Sequence, residues 1–77
     1  MERAHEKALG QNIRRLRLAR RLSQEQLADQ LGVTRQSVSK WESGQSLPEA
    51  ATLLTLADLL SCTLDQLMRE ALSEADS

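Results

Sequence analysis

A chain of 77 residues with one aromatic residue (Trp41), one cysteine (Cys62) and one histidine (His5) has room for a single small domain with an aliphatic core. It excludes an intrachain disulfide and the usual Cys/His zinc site. The net charge of −1 conceals an asymmetry: residues 1–41 carry nine Lys/Arg against four Asp/Glu, and residues 42–77 carry one against seven, so a basic face can be offered to a polyanion despite the acidic balance.

Leucine dominates and β-branched, alternating runs are scarce, which predicts helices and no sheet. Residues 1–7 are polar and read as a frayed N-terminal segment without an apolar stretch of signal-peptide type. No run approaches the roughly 20 apolar residues that span a bilayer, so a cytoplasmic protein without membrane contact is expected. A first helix follows, with Leu9, Ile13 and Leu16 on one stripe. Five arginines crowd its end. A helical wheel sets Arg14, Arg17 and Arg21 largely away from the stripe, with Arg17 the candidate phosphate contact and Arg15 solvated.

Residues 23–44, SQEQLADQLGVTRQSVSKWESG, organise the rest of the chain. Ser23 and Gln26 have the spacing of a capping box, and Leu27, Ala28 and Leu31 form the buried stripe of a second helix. Gly32 supplies positive φ for a tight turn, after which Val33 tucks inward. Thr34 caps a third helix that runs to about Ser43, with Val38 and Trp41 inward, Arg35, Gln36, Ser39 and Lys40 outward, and Gly44 as its C-cap. Four residues from Ala28 to Gly32, then six to Val38, let two helices cross closely and steeply. One face of the second is left free, which is the geometry of a helix-turn-helix.

Pro48 sets up a fourth helix with Leu53, Leu56, Ala57 and Leu60 as its stripe. Leu54 and Leu59 flank that stripe, so this helix is expected to be central. Thr63 caps a short last helix with Leu64, Leu67 and Met68 on its apolar side and Leu72 as a possible extension. Residues 8–72 thus form one domain, and residues 73–77 read as an acidic tail.

Enzymatic chemistry finds little support. Cys62 has no base beside it in this pattern and reads as a small buried hydrophobe, and His5 as a solvated residue in the frayed segment. Glu70, Glu74 and Asp76 read as solvated tail, and three scattered glycines make no phosphate loop. No cofactor, metal or catalytic residue is expected. Nucleic-acid chemistry fits better. Arg35 and Gln36 stand in the first turn of the third helix with Lys40 a turn later, and Arg and Gln match guanine and adenine edges. Gln24 opens the second helix, where free N–H groups and the helix dipole favour a phosphate.

The stretch from residue 9 to 67 closely resembles the phage-repressor-like helix-turn-helix (XRE, Cro-type) family. The resemblance rests on N-I-R-x-L-R, L-S-Q-E-x-L-A, L-G-V-T-R-Q-S-V-S-K-W-E-x-G, the following Pro, L-A-x-L-L and T-L-D-x-L. It implies a compact all-α five-helix bundle in which the second and third helices read double-stranded DNA. Gln24 would hold phosphate, and Arg35, Gln36 and Lys40, with Thr34 and Ser39, would face bases or flanking phosphates. Arg17 would pair with Glu42 near the DNA backbone, and operators would be bound by homodimers. Three departures stand out: Arg21 and Ser61 occupy positions where glycine is common, Cys62 stands where a branched aliphatic is usual, and Gln45, Ser46 and Glu49 replace basic loop residues. The first requires left-handed residues or different turns; the last predicts few phosphate contacts there and a modest salt slope.

The leading expectation is therefore a sequence-specific transcriptional regulator, a repressor, that is not an enzyme. The alternative is a protein-interaction or antitoxin-like module of the same fold. Leu47, Leu54, Leu59, Leu64 and Met68 are the candidates for a partner surface.

Overall fold

In a computed structural model, which describes residues 4–69, local chemistry sets most of the helix ends. Five helices and no strand occur among the described residues: α1 (Ala4–Ala19), α2 (Gln24–Leu31), α3 (Arg35–Glu42), α4 (Ala50–Leu59) and α5 (Leu64–Met68). Residues 4–7, inside the segment expected to fray, are helical. The acidic tail at 73–77, the Leu72 extension and Glu70 fall outside the described residues, as does the side chain of His5.

Among the described residues, three N-termini carry side-chain caps. Ser23 and Thr63 each form a complete capping box, with Gln26 and Gln66 respectively, and Thr34 accepts from the Ser37 N–H. Glu49 caps α4 through backbone position alone, without a side-chain hydrogen bond. The C-termini of α1 to α4 share one device. The N–H of a left-handed residue bonds back to a carbonyl three residues earlier, and the next N–H reaches back five. The left-handed residues are Arg21 (φ 59°), Gly32 (φ 74°), Gly44 (φ 82°) and Ser61 (φ 56°). The longer bonds run from Leu22 to Arg17, Val33 to Ala28, Gln45 to Lys40 and Cys62 to Ala57, at 2.9–3.0 Å. Arg21 and Ser61 thus adopt the left-handed conformation that the missing glycines required. Their turns carry the same pair of hydrogen bonds as the turns at Gly32 and Gly44.

The core joins Leu9 and Ile13 of α1, Leu27 and Ala28 of α2, Val38 and Trp41 of α3, Leu56 and Ala57 of α4, and Leu67 of α5. Gly10 lets α1 approach the end of α3: a Cβ there would overlap the Trp41 carbonyl oxygen and stand 2.9 Å from that of Glu42. A buried polar group ties α1 to α5. Asn12 is fully buried, and its Nδ2 donates to the carbonyls of Leu67 (2.8 Å) and Arg69 (2.5 Å). Its Oδ1 accepts from Arg15 Nη2 at 3.0 Å. Arg15, expected to be merely solvated, therefore satisfies the last polar atom of a core residue.

Two further expectations are corrected. Arg17 does not face away from the α1 stripe: it follows Ile13 by one four-residue step and is 7% exposed. Nor is α4 central. Leu54 lies about 200° around the helix from Leu56 and is 61% exposed. Among the described residues no element packs over that face. Leu59 and Met68 pack against the core, which leaves Leu47, Leu54 and Leu64 of the candidate partner residues exposed.

Two substitutions test this account. Gly10→Ala improves helix propensity by about 1 kcal/mol, but its methyl meets backbone that cannot rotate away. A net loss of about 2 kcal/mol in urea unfolding is expected. Arg21→Gly removes a left-handed side chain, a gain partly offset by the freer unfolded chain. It should stabilise by roughly 0.5–1 kcal/mol, read as a melting point a few degrees higher.

Candidate nucleic-acid interface

The turn at Gly32 sets the geometry of the site. Because Gly32 closes α2 and Thr34 opens α3 two residues later, the N-terminus of α3 emerges at the surface while Val38 and Trp41 hold its other side in the core. Arg35 and Gln36 are exposed in its first turn, Lys40 is exposed in its last, Ser39 is half-buried beside them, and Thr34 is exposed at the cap. The expected outward set is therefore on one free face.

Gln24 is half-buried at the start of α2. The first N–H groups of that helix have no intrahelical acceptor; the Gln26 N–H is taken by Ser23 Oγ at 2.9 Å. Gln24 does not stand alone. Its Nε2 donates to Glu42 Oε1 at 3.0 Å, and its Oε1 lies 3.5 Å from Arg35 Nη1. The two helix starts are thus bridged by side chains.

Glu42 and Arg17 form the brace that the family resemblance implied. Arg17 Nε donates to Glu42 Oε2 at 2.6 Å and Nη2 to Oε1 at 3.0 Å, while Nη1 donates to the Leu22 carbonyl at 2.7 Å. Both side chains are more than nine-tenths buried. This fork is bidentate and charge-assisted, and it turns the guanidinium inward, away from the phosphate contact expected of Arg17. The sequence signal for that inward position was the step from Ile13 to Arg17; the wheel reading missed it. Asn12 and Gly10 were missed altogether, although Asn12 sits on the stripe between Leu9 and Leu16.

Elsewhere the chemistry is quiet. Cys62 is half-buried against the core. Burial pushes its thiol above the ordinary value of 9.0, against the opposite pull of Arg15 and Arg20. After α3, Gln45 and Glu49 are exposed and Ser46 is half-buried, so this loop adds no cation to the free face. Among the described residues no helix is long and apolar enough to cross a membrane.

A family model described as helix-turn-helix matches residues 13–67. The chain is 41% identical over 58 residues to the transcriptional activator BcrR of Enterococcus faecalis, covering 75% of this chain and 28% of that protein. The P22 c2 repressor, solved in complex with a synthetic operator, superposes with a TM-score of 0.76 at 31% identity, over 79% of this chain and 92% of that one. The restriction-modification controller protein C.AhdI of Aeromonas hydrophila gives 0.73 at 37% identity, over 80% and 94%. The chain spans less than two thirds of the length of the curated relatives compared with it, from 28% of BcrR to 62% of the Bacillus subtilis prophage regulator YonR.

Glu42→Ala leaves the Arg17 charge buried without a partner, and a loss of about 3–5 kcal/mol is expected, seen as a lowered urea midpoint. For Cys62, a raised folded value means that the folded thiol keeps its proton to higher pH than the unfolded one. Its contribution to stability is intact below the ordinary thiol range and lost as pH rises through the folded value. Alkylation by iodoacetamide at pH 7 should accordingly be slower than for a free thiol, accelerating only above about pH 9.

Proposed function

The chain belongs to the phage-repressor-like (XRE-type) helix-turn-helix family, and from that membership and the free face of α3 we propose that it is a sequence-specific DNA-binding transcriptional regulator. The observation that carries the reading is the joint exposure of Arg35, Gln36 and Lys40 on α3, beside Gln24 at the start of α2. In the major groove Arg35 is built to bond guanine O6 and N7, and Gln36 adenine N6 and N7. Lys40, Thr34 and Ser39 flank them and suit backbone or base-edge contacts. Gln24 retains one amide hydrogen beyond the one given to Glu42, and that hydrogen together with the free N–H groups of α2 suits a phosphate. Arg17 acts indirectly, by holding α3 against α1.

Repression is the mode a module of this size achieves most simply, since occupying an operator excludes other proteins from it. One such module buries little DNA, so a homodimer is proposed, with α3 of each copy in successive major grooves about 34 Å apart. The exposed apolar residues Ala51 and Leu54, three residues apart on α4, with exposed Leu47 in the loop before it, are suited to that contact. The same exposed face is the one observation that favours a protein partner as the second reading.

Selection of bound sequences from a random duplex pool, followed by fluorescence anisotropy across a salt series, tests the proposal. A pair of half-sites about one helical turn apart is expected. Arg35→Ala should cost about 1–3 kcal/mol and relax preference at one base position. Lys40→Ala should weaken all duplexes alike. If neither Arg35→Ala nor Gln36→Ala changes affinity or preference, α3 is not the reading helix. A protein that binds no duplex yet captures a partner through the Leu54 face would establish the second reading.

A further inference from the structure

The Glu42 carboxylate is itself enclosed, yet both side chains that bridge the two helix starts depend on its orientation. We propose that Glu42 is a positioning residue for base reading, acting through Gln24 on Arg35, a role that rests on Arg35 reading bases as described above. The argument is one of hydrogen-bond polarity. A carboxylate only accepts, and a guanidinium only donates. Glu42 Oε1 accepts from Arg17 Nη2 and from Gln24 Nε2, each at 3.0 Å, so the nitrogen of the Gln24 amide must face Glu42 and its oxygen must face outward. That oxygen stands 3.5 Å from Arg35 Nη1. A flipped amide would set oxygen against carboxylate and N–H against guanidinium, unfavourable at both ends. The two ends therefore enforce one orientation.

The strengths of the contacts are graded in a useful order. Glu42 is held by a short bidentate fork, 6% exposed on its side chain; Gln24 is held by one ordinary bond; Arg35 is exposed and held only at the limit of hydrogen-bond distance. A fixed base, a firm middle and a loosely guided tip aim the guanidinium before contact while leaving it free to exchange Gln24 for a base edge. Arg17 neutralises the carboxylate, so the anchor adds little repulsion toward a nearby phosphate.

The bland alternative is that Glu42 only braces the fold. The two differ in what they do to discrimination. The probes are the duplex recovered from the random pool and the same duplex changed at the base pair whose identity Arg35→Ala ignores. Gln24→Ala, which leaves the Arg17–Glu42 pair intact, should lower the affinity ratio between these duplexes roughly fivefold, the lower end of what one base contact contributes. Glu42→Gln should lower it comparably, and should have no further effect on the ratio in the Gln24→Ala background. Equal weakening of both duplexes by Glu42→Gln, or an undiminished effect in the double variant, overturns the positioning role. Because Glu42→Gln can fail to fold, NMR of the wild-type chain without DNA provides a second arm. The Gln24 side-chain amide should show one proton protected from exchange and shifted from its partner, and a freely exchanging pair overturns the proposal. A chain that binds no duplex at all would instead overturn the DNA-reading role on which it rests, a different result from a bound duplex whose discrimination ignores Gln24 and Glu42.

Discussion

The buried fork between Arg17 and Glu42 is the contact on which the arrangement of the first three helices depends. It joins the end of α1 to the end of α3, and the same guanidinium holds the Leu22 carbonyl in the turn before α2. Such a pair gains little net stability over an apolar replacement of the same shape, because its desolvation offsets its attraction. What it contributes is uniqueness. A carboxylate and a guanidinium satisfied in one geometry only leave no alternative register between α1 and α3. Gly10 makes that register reachable, since only a residue without Cβ lets α1 settle onto the last carbonyls of α3.

Around this brace the chain repeats one stop signal. At three of the four left-handed turns the following residue is apolar and packs against the core: Leu22, Val33 and Cys62. This is the anchoring contact that accompanies such turns, and it accounts for Cys62 better than any reactivity does. The thiol fills the position after Ser61 that a branched aliphatic would otherwise fill, and burial keeps it protonated. Asn12 plays a related part at the far end of the chain, where α5 is short: its amide takes carbonyls beyond the reach of helical bonding.

Much of this was legible in the sequence because it is local. Ser23 with Gln26, Thr34, Gly32 and the pair Val38 and Trp41 each act within a few residues, so spacing alone identified them. The resemblance to phage-repressor-like domains supplied the Arg17–Glu42 pair, which spans 25 residues. What escaped was decided by distant neighbours. Arg17 was read as outward because a charge on a helix is ordinarily solvated, and only a carboxylate from α3 makes its burial tolerable. Asn12 looked like one more polar residue until the end of α5 gave it partners. The fourth helix was read as central because apolar character over a whole helix normally means burial, whereas nothing among the described residues covers Leu54. Arg21 and Ser61 lay between these cases: left-handed residues and different turns were both open, and the structure takes the first course.

The turn after α3 departs from the pattern, and the departure bears on how DNA would be held. Its left-handed residue is Gly44, yet the next residue is Gln45, which is exposed instead of packed into the core. Chain direction is recovered only at Pro48, which is buried two residues before α4. Between these points the loop offers neither an apolar anchor nor a cation, and Glu49 follows it. The positive groups on the free face of α3 are Arg35 and Lys40 alone, which limits the share of binding that sequence-independent phosphate attraction can supply. Discrimination then has to come from direct contacts, and direct contacts reward side chains that are aimed beforehand. Gln24, bonded to the buried brace and in reach of Arg35, is the compensation this fold has available for a weakly charged loop.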